Sequence, residues 1–225
     1  MKIGIDIDKI ENISVCDHPI ALHNLTILRD KNTSSELFRN ATRRLAEVLF
    51  FSATGNLPTK LTSIETPLVS TNSRTIDPDA EIIIAPILRA GLLFSEVASS
   101  LLPSARVHHI GLYRDHKTLQ PVWYYNKLPE HFEKPENTYV YILDPMLATG
   151  GSAIESIKLF TQHGISQKNI RFISLLSAPE GIEKVHSLFP DVKLTTAWVD
   201  SHLNEFGYIL PGLGDAGDRT YNTVY

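Results

Sequence analysis

The residues whose types and spacing most clearly suit ligand binding lie between positions 144 and 152, where the sequence is DPMLATGGS. The apolar run YVYIL (139–143) precedes Asp144, and a pattern typical of a helix follows the loop. Two adjacent glycines allow successive backbone N–H groups to point into one concavity, and a helix start adds its positive end. Thr149 and Ser152 add hydroxyl donors. The pattern predicts a cradle for one phosphate monoester, with Asp144 placed to accept hydrogen bonds from sugar hydroxyls.

The same residues also fit a tight strand-to-helix turn without a ligand. The sequence excludes two other nucleotide-binding loops. A Walker loop needs a lysine after its glycines, and none follows Gly151. The GxGxxG pattern of dinucleotide-binding folds is also missing from this loop.

Arginines end two further predicted strands. Arg89 follows an apolar run in the stretch PILRAG, and Arg114 follows another in YRDHKT. A guanidinium can grip a phosphate or diphosphate with two parallel hydrogen bonds. The alternatives are an ion pair with a nearby acid for Arg89 and a solvated charged turn for Arg114. Together with the glycine loop, the two arginines predict a local cationic site.

The stretch GYILPGLGDAGDR (207–219) holds four of the twelve glycines of the chain. Glycine lets backbone N–H and C=O groups approach a flat ligand edge. The backbone at Ile209 and near Gly214 and Ala216 therefore suits the donor and acceptor edge of a pyrimidine such as uracil. Asp215 is placed to hold a metal ion or orient a ring hydroxyl, although the Asp and Gly spacing excludes an EF-hand. The alternative is a glycine-rich loop without a ligand.

These loops can form one site only if they lie at the same edge of a sheet, and the hydrophobic pattern predicts such a sheet. Short apolar runs alternate with segments of helical spacing from residue 81 onward. The alternation predicts an α/β fold, a doubly wound, mostly parallel sheet with flanking helices, in which ligands bind beyond the carboxyl ends of the strands. The predicted strands are 82–88, 105–114, 139–143, 170–178 and 192–199, and the predicted helices are 91–102, 152–163 and 182–189.

The other segments complete a single predicted domain over residues 1–225. They are an N-terminal extension that docks at a sheet edge (1–17), a helix capped by Thr33 or Ser34 (33–53), short strands and loops (55–80), a β-hairpin flap (115–137) and a small C-terminal base-binding hood (200–225).

The composition excludes several functions. The net charge is −4 and the isoelectric point about 6.1, so no global basic field attracts nucleic acid. The single cysteine, Cys16, permits no intrachain disulfide and favours a reducing compartment. The most apolar window, 82–88, is far shorter than the ~20 residues of a membrane span. The N-terminus alternates apolar and charged residues, unlike a signal peptide. A cytoplasmic protein without membrane contact is predicted.

Histidines and aromatic residues give weaker signals. His108 and His109 are adjacent on a predicted strand and would point to opposite faces. His18 and His23 have no His or Cys partner at ligand spacing, so metal binding by histidine is not predicted. The stretch PVWYY (121–125) fits packing of the flap onto the core or onto a partner subunit, or stacking on a base.

Taken together, the motifs resemble those of uracil phosphoribosyltransferases. YILDPMLATGGSA resembles the phosphoribosyl diphosphate loop of that family, and PILRAG, YRD, PEG (179–181) and PGLGDAGD resemble its other signatures. The resemblance runs from about His18 to the C-terminus. Most of the wider superfamily has two adjacent acids before the loop, whereas Pro145 holds the second position here, as in the uracil branch. The resemblance thus implies that one loop carboxylate faces the ribose.

The resemblance implies a role for each motif. The loop would bind the ribose 5-phosphate part of 5-phospho-α-D-ribose 1-diphosphate (PRPP), the arginines its diphosphate, and backbone atoms of the C-terminal segment uracil. Catalytic roles fall to Arg114 and Asp215, Mg²⁺ enters with PRPP and through Asp215, and residues 115–128 resemble a flexible flap. The implied PRPP-binding residues are Arg89, Arg114, Asp144, Pro145, Met146, Leu147, Ala148, Thr149, Gly150, Gly151, Ser152 and Asp215, and the implied uracil-binding residues are Ile209, Gly214, Asp215 and Ala216.

The implied reaction joins uracil and PRPP to give UMP and diphosphate in pyrimidine salvage. Members of the family are usually dimers or tetramers and some are activated by GTP, so the resemblance implies a homodimer or homotetramer and a GTP effector, for which 23–33 is a place to look. Residues 1–16 have no placed counterpart. Two alternatives stay open: a phosphoribosyltransferase for another base, and a non-catalytic regulator that senses nucleotides or PRPP with the same fold.

Overall fold

A computed structural model of the protein describes residues 12–114 and 121–223, except for the side chain of Arg114. The strands are β1 (Ile13–Val15), β2 (Thr59–Glu65), β3 (Ser70–Ile76), β4 (Glu81–Leu88), β5 (Arg106–Val107), β6 (Ile110–Arg114), β7 (Pro121–Asn126), β8 (Thr138–Leu143), β9 (Met146–Leu147), β10 (Ile170–Ser177), β11 (Lys193–Val199), β12 (His202–Leu203) and β13 (Ile209–Leu210). The α-helices are α1 (Pro19–Arg29), α2 (Ser35–Thr54), α3 (Leu92–Leu101), α4 (Gly151–Gln162), α5 (Pro179–Leu188) and α6 (Ala216–Tyr221).

The central sheet has the strand order β1-β11-β10-β8-β4-β6-β7, with β5 beside β4 and β9 beside β10. Neighbouring strands from β1 to β6 are parallel, and β7 lies antiparallel to β6 as the second strand of a hairpin. This arrangement confirms the predicted doubly wound, mostly parallel α/β sheet. The carboxyl ends of its parallel strands therefore lie at one edge, where the predicted loops meet.

Helices cover both faces of the sheet because the central strands are apolar on both sides. On one face α2 buries Phe38, Leu45 and Leu49 in a core that includes Tyr141 of β8. On the other face Phe160 of α4 belongs to a second core. The residues at the ends of β8 and β10 are thus held by packing from two directions.

Local sequence signals set the ends of two helices. Ser34 caps α2, and its hydroxyl accepts a hydrogen bond from the Leu37 N–H at 3.3 Å. This confirms one of the two predicted caps. Gly150 precedes α4 with φ of +77°, and Gly164 follows it with φ of +84°, both in the left-handed region that favours glycine.

The segment 105–114 departs from the prediction of one strand, because it forms β5 and β6 with His108 and His109 between them. The interruption lies beside Pro86 of β4, which has no N–H to donate to the ladder. The prediction of a continuous strand is therefore wrong at the two histidines, and the argument that they alternate faces does not apply. The ring of His108 packs edge-on against Phe132, with centroids 6.3 Å apart.

Two smaller features lie away from this edge. Strands β2 and β3 form an antiparallel hairpin that is exposed along its whole length, as expected for short strands in 55–80. At the other end β1 pairs with β11 as an edge strand. Within the described ranges no helix is long and apolar enough to cross a lipid bilayer.

Candidate active site

The loop after β8 is fixed in place by β10. The carbonyl of Pro145 accepts hydrogen bonds from the N–H groups of Leu175 and Leu176 at 2.9 and 3.2 Å. The carbonyl of Leu147 accepts another from Ala178 at 2.8 Å. The side of the loop that faces away from β10 is therefore free of these ladder bonds and presents its backbone to the adjacent cavity.

The turn into α4 depends on a glycine from another helix. A Cβ added to Gly181 of α5 would lie 2.3 Å from the carbonyl oxygen of Ala148. A Cβ on Gly150 would in turn lie 3.1 Å from the carbonyl oxygen of Gly181. The PEG motif thus lets α5 support the glycine loop at close range, a contact that no local pattern indicates.

Asp144 is the partly buried acid at the end of β8. Burial raises the pKa of its carboxyl to about 7, a hydrogen bond from the Met146 N–H opposes the rise, and the negative charge of Asp215 adds to it. The Met146 nitrogen lies 3.4 Å from the carboxylate. Two acids from distant parts of the chain therefore share one site and interact electrostatically.

Arg89 follows β4 at the same edge of the sheet, after a cis peptide bond to Leu88. Its guanidinium forms an ion pair with Asp218 at 3.4 Å, while 60% of the arginine side chain is exposed. An ion pair this exposed contributes little to stability. The ion pair given above as the alternative interpretation of Arg89 is therefore present, yet it leaves the guanidinium accessible to an anion.

The turn that carries Arg89 also requires a glycine. A Cβ on Gly91 would lie 2.3 Å from the carbonyl oxygen of Leu143 and 2.7 Å from that of Ile87. Gly91 therefore allows the end of β4 and the end of β8 to lie side by side.

The C-terminal segment folds over the loop as a small hood. Strands β12 and β13 pair in antiparallel fashion and bury Ile209, which is 4% exposed. Asp215 caps α6, because its carboxylate accepts a hydrogen bond from the Asp218 N–H at 2.9 Å. Gly214 precedes it with φ of +80°. The phenol of Tyr221 donates to the carbonyl of Arg89 at 3.1 Å and ties the hood to the end of β4.

These elements line one open cavity of about 220 Å³. Most residues predicted from the sequence line it, whereas Pro145 and Arg89 lie beside it and contribute no lining surface. The Arg114 side chain and the flap residues 115–120 lie outside the described residues. The lining residues are Ala90, Asp144, Met146, Leu147, Ala148, Thr149, Gly150, Gly151, Ser152, Ala153, Gly207, Tyr208, Ile209, Gly214, Asp215, Ala216 and Gly217.

The described part of the flap, β7, passes over the start of α4. The ring of Pro121 lies 3.4 Å from the position of a Cβ on Gly151. The indole N–H of Trp123 donates to Glu155 of α4 at 3.5 Å. The aromatic residue thus contacts the helix that follows the loop, which favours the packing interpretation over stacking on a base.

Three residues that hold the hood in place, beside the cavity, were missed by sequence reasoning. Asp200 follows β11 as Asp144 follows β8, and that shared position was the available signal. Arg29 and Arg219 gave no local signal, because their partners are distant in sequence. Arg29 pairs with Asp200 at 2.6 Å, and Arg219 donates to the carbonyl of Leu213 at 2.7 Å.

Comparison with known proteins agrees with this geometry. A sequence model of the family described as "Uracil phosphoribosyltransferase" matches residues 15–223. The chain is 48% identical to a uracil phosphoribosyltransferase of Dictyoglomus thermophilum over 94% of its own length and 99% of that protein. It is also 48% identical to one of Sinorhizobium fredii, over 95% of its own length and 99% of the relative.

Solved structures share the fold. The AQ2163 protein of Aquifex aeolicus superposes with a TM-score of 0.86 at 34% identity, covering 95% of this chain and 100% of that one. An adenine phosphoribosyltransferase of Trypanosoma brucei superposes with a TM-score of 0.55 at 13% identity, covering 92% of this chain and 90% of that one. At that identity the likeness supports the fold alone.

Proposed function

Because the chain belongs to the uracil phosphoribosyltransferase family, we propose that it transfers the phosphoribosyl group of PRPP to uracil, giving UMP and diphosphate. The observation that carries the proposal is that the glycine loop and the hood line one cavity. A phosphorylated donor held by the loop and a flat base held by the hood would be adjacent. Holding two reactants in this way supplies much of the rate.

The donor would bind through the loop after β8. The N–H groups around Gly150 and Gly151, the hydroxyls of Thr149 and Ser152, and the start of α4 suit the 5-phosphate. Asp144 at the end of β8 suits the ribose hydroxyls, which would donate to its ionised carboxylate. Burial and Asp215 raise the pKa of Asp144 and favour its neutral form. Hydrogen bonds from the ribose hydroxyls would act in the opposite direction and favour the carboxylate.

The bond between ribose C1 and the diphosphate would break with its electron pair leaving on oxygen. Positive charge then develops on the ribose, and negative charge grows on the departing diphosphate. The guanidinium of Arg89, exposed and only weakly paired with Asp218, supports a role in holding that anion. We assign the same role to Arg114, at the end of the neighbouring strand β6.

Uracil N1 would attack C1 with its lone pair and release its proton to solvent. The backbone of Ile209, Gly214 and Ala216, with Asp215 between, would hold the base edge in the reactive tautomer. Ile209 and Ala216 are each 4% exposed. Their burial supports strong backbone hydrogen bonds to a ligand, because water competes poorly there.

The donor set of the cavity fits Mg²⁺ brought by the substrate. No group of three or more His, Cys, Asp or Glu side chains at metal-binding distance occurs in the described ranges. Magnesium usually needs only one or two carboxylates besides substrate phosphates. Asp215 would hold it here, near Asp144, and the ion would neutralise diphosphate charge when bound.

Membership of the family supports a proposal about the wider role of the protein. We propose that the protein supplies UMP by pyrimidine salvage, acts as a homodimer or homotetramer, and responds to GTP. The exposed hairpin β2–β3 supports self-association, because it presents Leu61, Ile64, Leu68 and Val69 to solvent. Light scattering on a sizing column measures the subunit number, and rate assays with added GTP test the activation.

The decisive experiment is an assay with labelled uracil, PRPP and Mg²⁺ in which UMP is resolved from uracil. UMP formation that requires both PRPP and Mg²⁺ is expected. Adenine and hypoxanthine in place of uracil serve as controls for base preference. If PRPP binds but no UMP forms, the protein is a transferase for another base or a non-catalytic sensor.

A further inference from the structure

An ion pair between the partly buried Arg29 and the buried Asp200 holds both backbone polar groups of one hood residue, Gly212. The carboxylate of Asp200, which is 2% exposed, receives two hydrogen bonds from the Arg29 guanidinium at 2.6 and 2.9 Å. The same carboxylate accepts the Gly212 N–H at 2.8 Å. The guanidinium also donates to the Gly212 carbonyl at 2.9 Å. Both polar groups of Gly212 are therefore held by one charged pair.

Gly212 lies between the two parts of the hood that line the cavity. Ile209 is three residues before Gly212, and Gly214 is two residues after it. Gly212 has φ of +64°, and a Cβ there would lie 2.1 Å from the carbonyl oxygen of Ile209. Any displacement of Gly212 is thus transmitted to the backbone at Ile209, because the turn leaves no room between them.

A second arginine anchors the same turn from the other side. Arg219 of α6 donates to the carbonyls of Leu213 and Asp30, at 2.7 and 2.6 Å, and also to that of Leu28. The end of α1 is therefore joined to the hood through Arg29 and Arg219 together. The helix that carries Arg29 is itself held in place, since the face of α1 that carries Leu28 is buried in the core.

We infer that Arg29 and Asp200 are positioning residues for uracil, holding the Gly212 turn so that the backbone at Ile209 and Gly214 meets the base edge. The inference rests on the proposed function of that backbone. Neither residue lines the cavity, so each acts through Gly212 and not by contact with substrate. The PRPP loop is anchored separately, on β10, and should not depend on this pair.

The test is steady-state kinetics of Asp200→Asn, which keeps the side-chain shape but removes the charge. We expect the KM for uracil to rise by roughly ten- to a hundredfold, since small misplacements of a binding group have effects of this order. The dissociation constant for PRPP, measured by calorimetry without Mg²⁺ so that the proposed contact of Asp215 with the metal does not contribute, should stay within about twofold of the wild type. An unchanged KM for uracil would overturn the inference.

A double variant, Arg29→Met with Asp200→Leu, separates positioning from stability. Replacing both members of a buried ion pair by apolar residues often restores stability, but it leaves the Gly212 N–H without its acceptor. We expect the melting temperature of the double variant to lie above that of Asp200→Asn, while its KM for uracil stays as high as that of Asp200→Asn. A double variant in which the melting temperature rises and the KM for uracil also returns to the wild-type value would assign the pair a structural role only.

The matched control is Arg106→Met, which removes an ion pair with Glu81 at 2.8 Å, away from the cavity. Its KM for uracil should equal that of the wild type. Failure of the proposed function is recognised separately, because the wild-type protein itself would then form no UMP. If the wild-type protein makes UMP and Asp200→Asn has an unaltered KM for uracil, only the positioning role is contradicted.

Discussion

Gly181 of α5 approaches the carbonyl oxygen of Ala148 so closely that a Cβ at position 181 would lie 2.3 Å from it. That distance is impossible for a real side chain, so Gly181→Ala must move the loop that we propose binds the 5-phosphate. We expect a loss of roughly ten- to a hundredfold in kcat/KM for PRPP.

Gly55→Ala is the matched control for Gly181→Ala. Its Cβ would meet its nearest neighbour at 3.7 Å, an ordinary contact, and its φ of −59° suits alanine. The variant should keep wild-type kinetics. Equal losses in both variants would show that the effect is not specific to the glycine loop.

Asp144 should make stability depend on pH. Its ordinary pKa of 3.8 describes the unfolded chain, whereas the folded value is about 7. Between these values the folded state binds more protons, so stability falls as pH rises through that window. Asp144→Asn should be more stable than the wild type at pH 8, with the difference shrinking toward pH 4. Melting temperatures across this range measure it, and a difference independent of pH would contradict the assignment.

Asp144 should also release a proton when PRPP binds. If ribose hydroxyls donate to its carboxylate, binding near pH 6.5 must ionise a group that is largely protonated in the free protein. Calorimetry in two buffers of different ionisation enthalpy gives the number of protons released. The number should be smaller for Asp144→Asn, and this difference removes the contribution of the PRPP phosphates themselves.

Arg89→Ala and Arg114→Ala should reduce turnover far more than uracil binding. If each guanidinium stabilises the departing diphosphate, its loss should cost about a hundred- to a thousandfold in kcat. The KM for uracil at saturating PRPP should change little. Arg106→Ala, at an ion pair with Glu81 away from the cavity, removes the same charge elsewhere and should be neutral. Equal losses in turnover and uracil binding would count against the proposed role.

The sequence predicted the fold and most of the cavity for a shared reason. Apolar runs of strand length fixed the order of the elements, and parallel strands bring their carboxyl ends to one edge. Asp144, Asp215 and the glycines could therefore be placed together before any contact was known. The side chain of Arg114 and the flap tip remain predictions.

What could not be predicted depends on contacts between distant positions. Arg29 and Asp200 are 171 residues apart, and the sequence around either residue gives no information about the other. The interruption of 105–114 arises from Pro86, which lies on a different strand. Such features follow from which elements become neighbours, and periodicity within one segment carries no information about them.

The position of α6 has a consequence for how the protein is made. The last strand of the central sheet ends at Val199, while Asp215, Asp218 and Tyr221 contribute the contacts that join the hood to Asp144 and Arg89. During synthesis on the ribosome, every strand of that sheet is therefore available before the binding cavity is. A nascent or truncated chain that ends at Val199 has the framework of the enzyme but lacks seven of the seventeen residues that line the cavity.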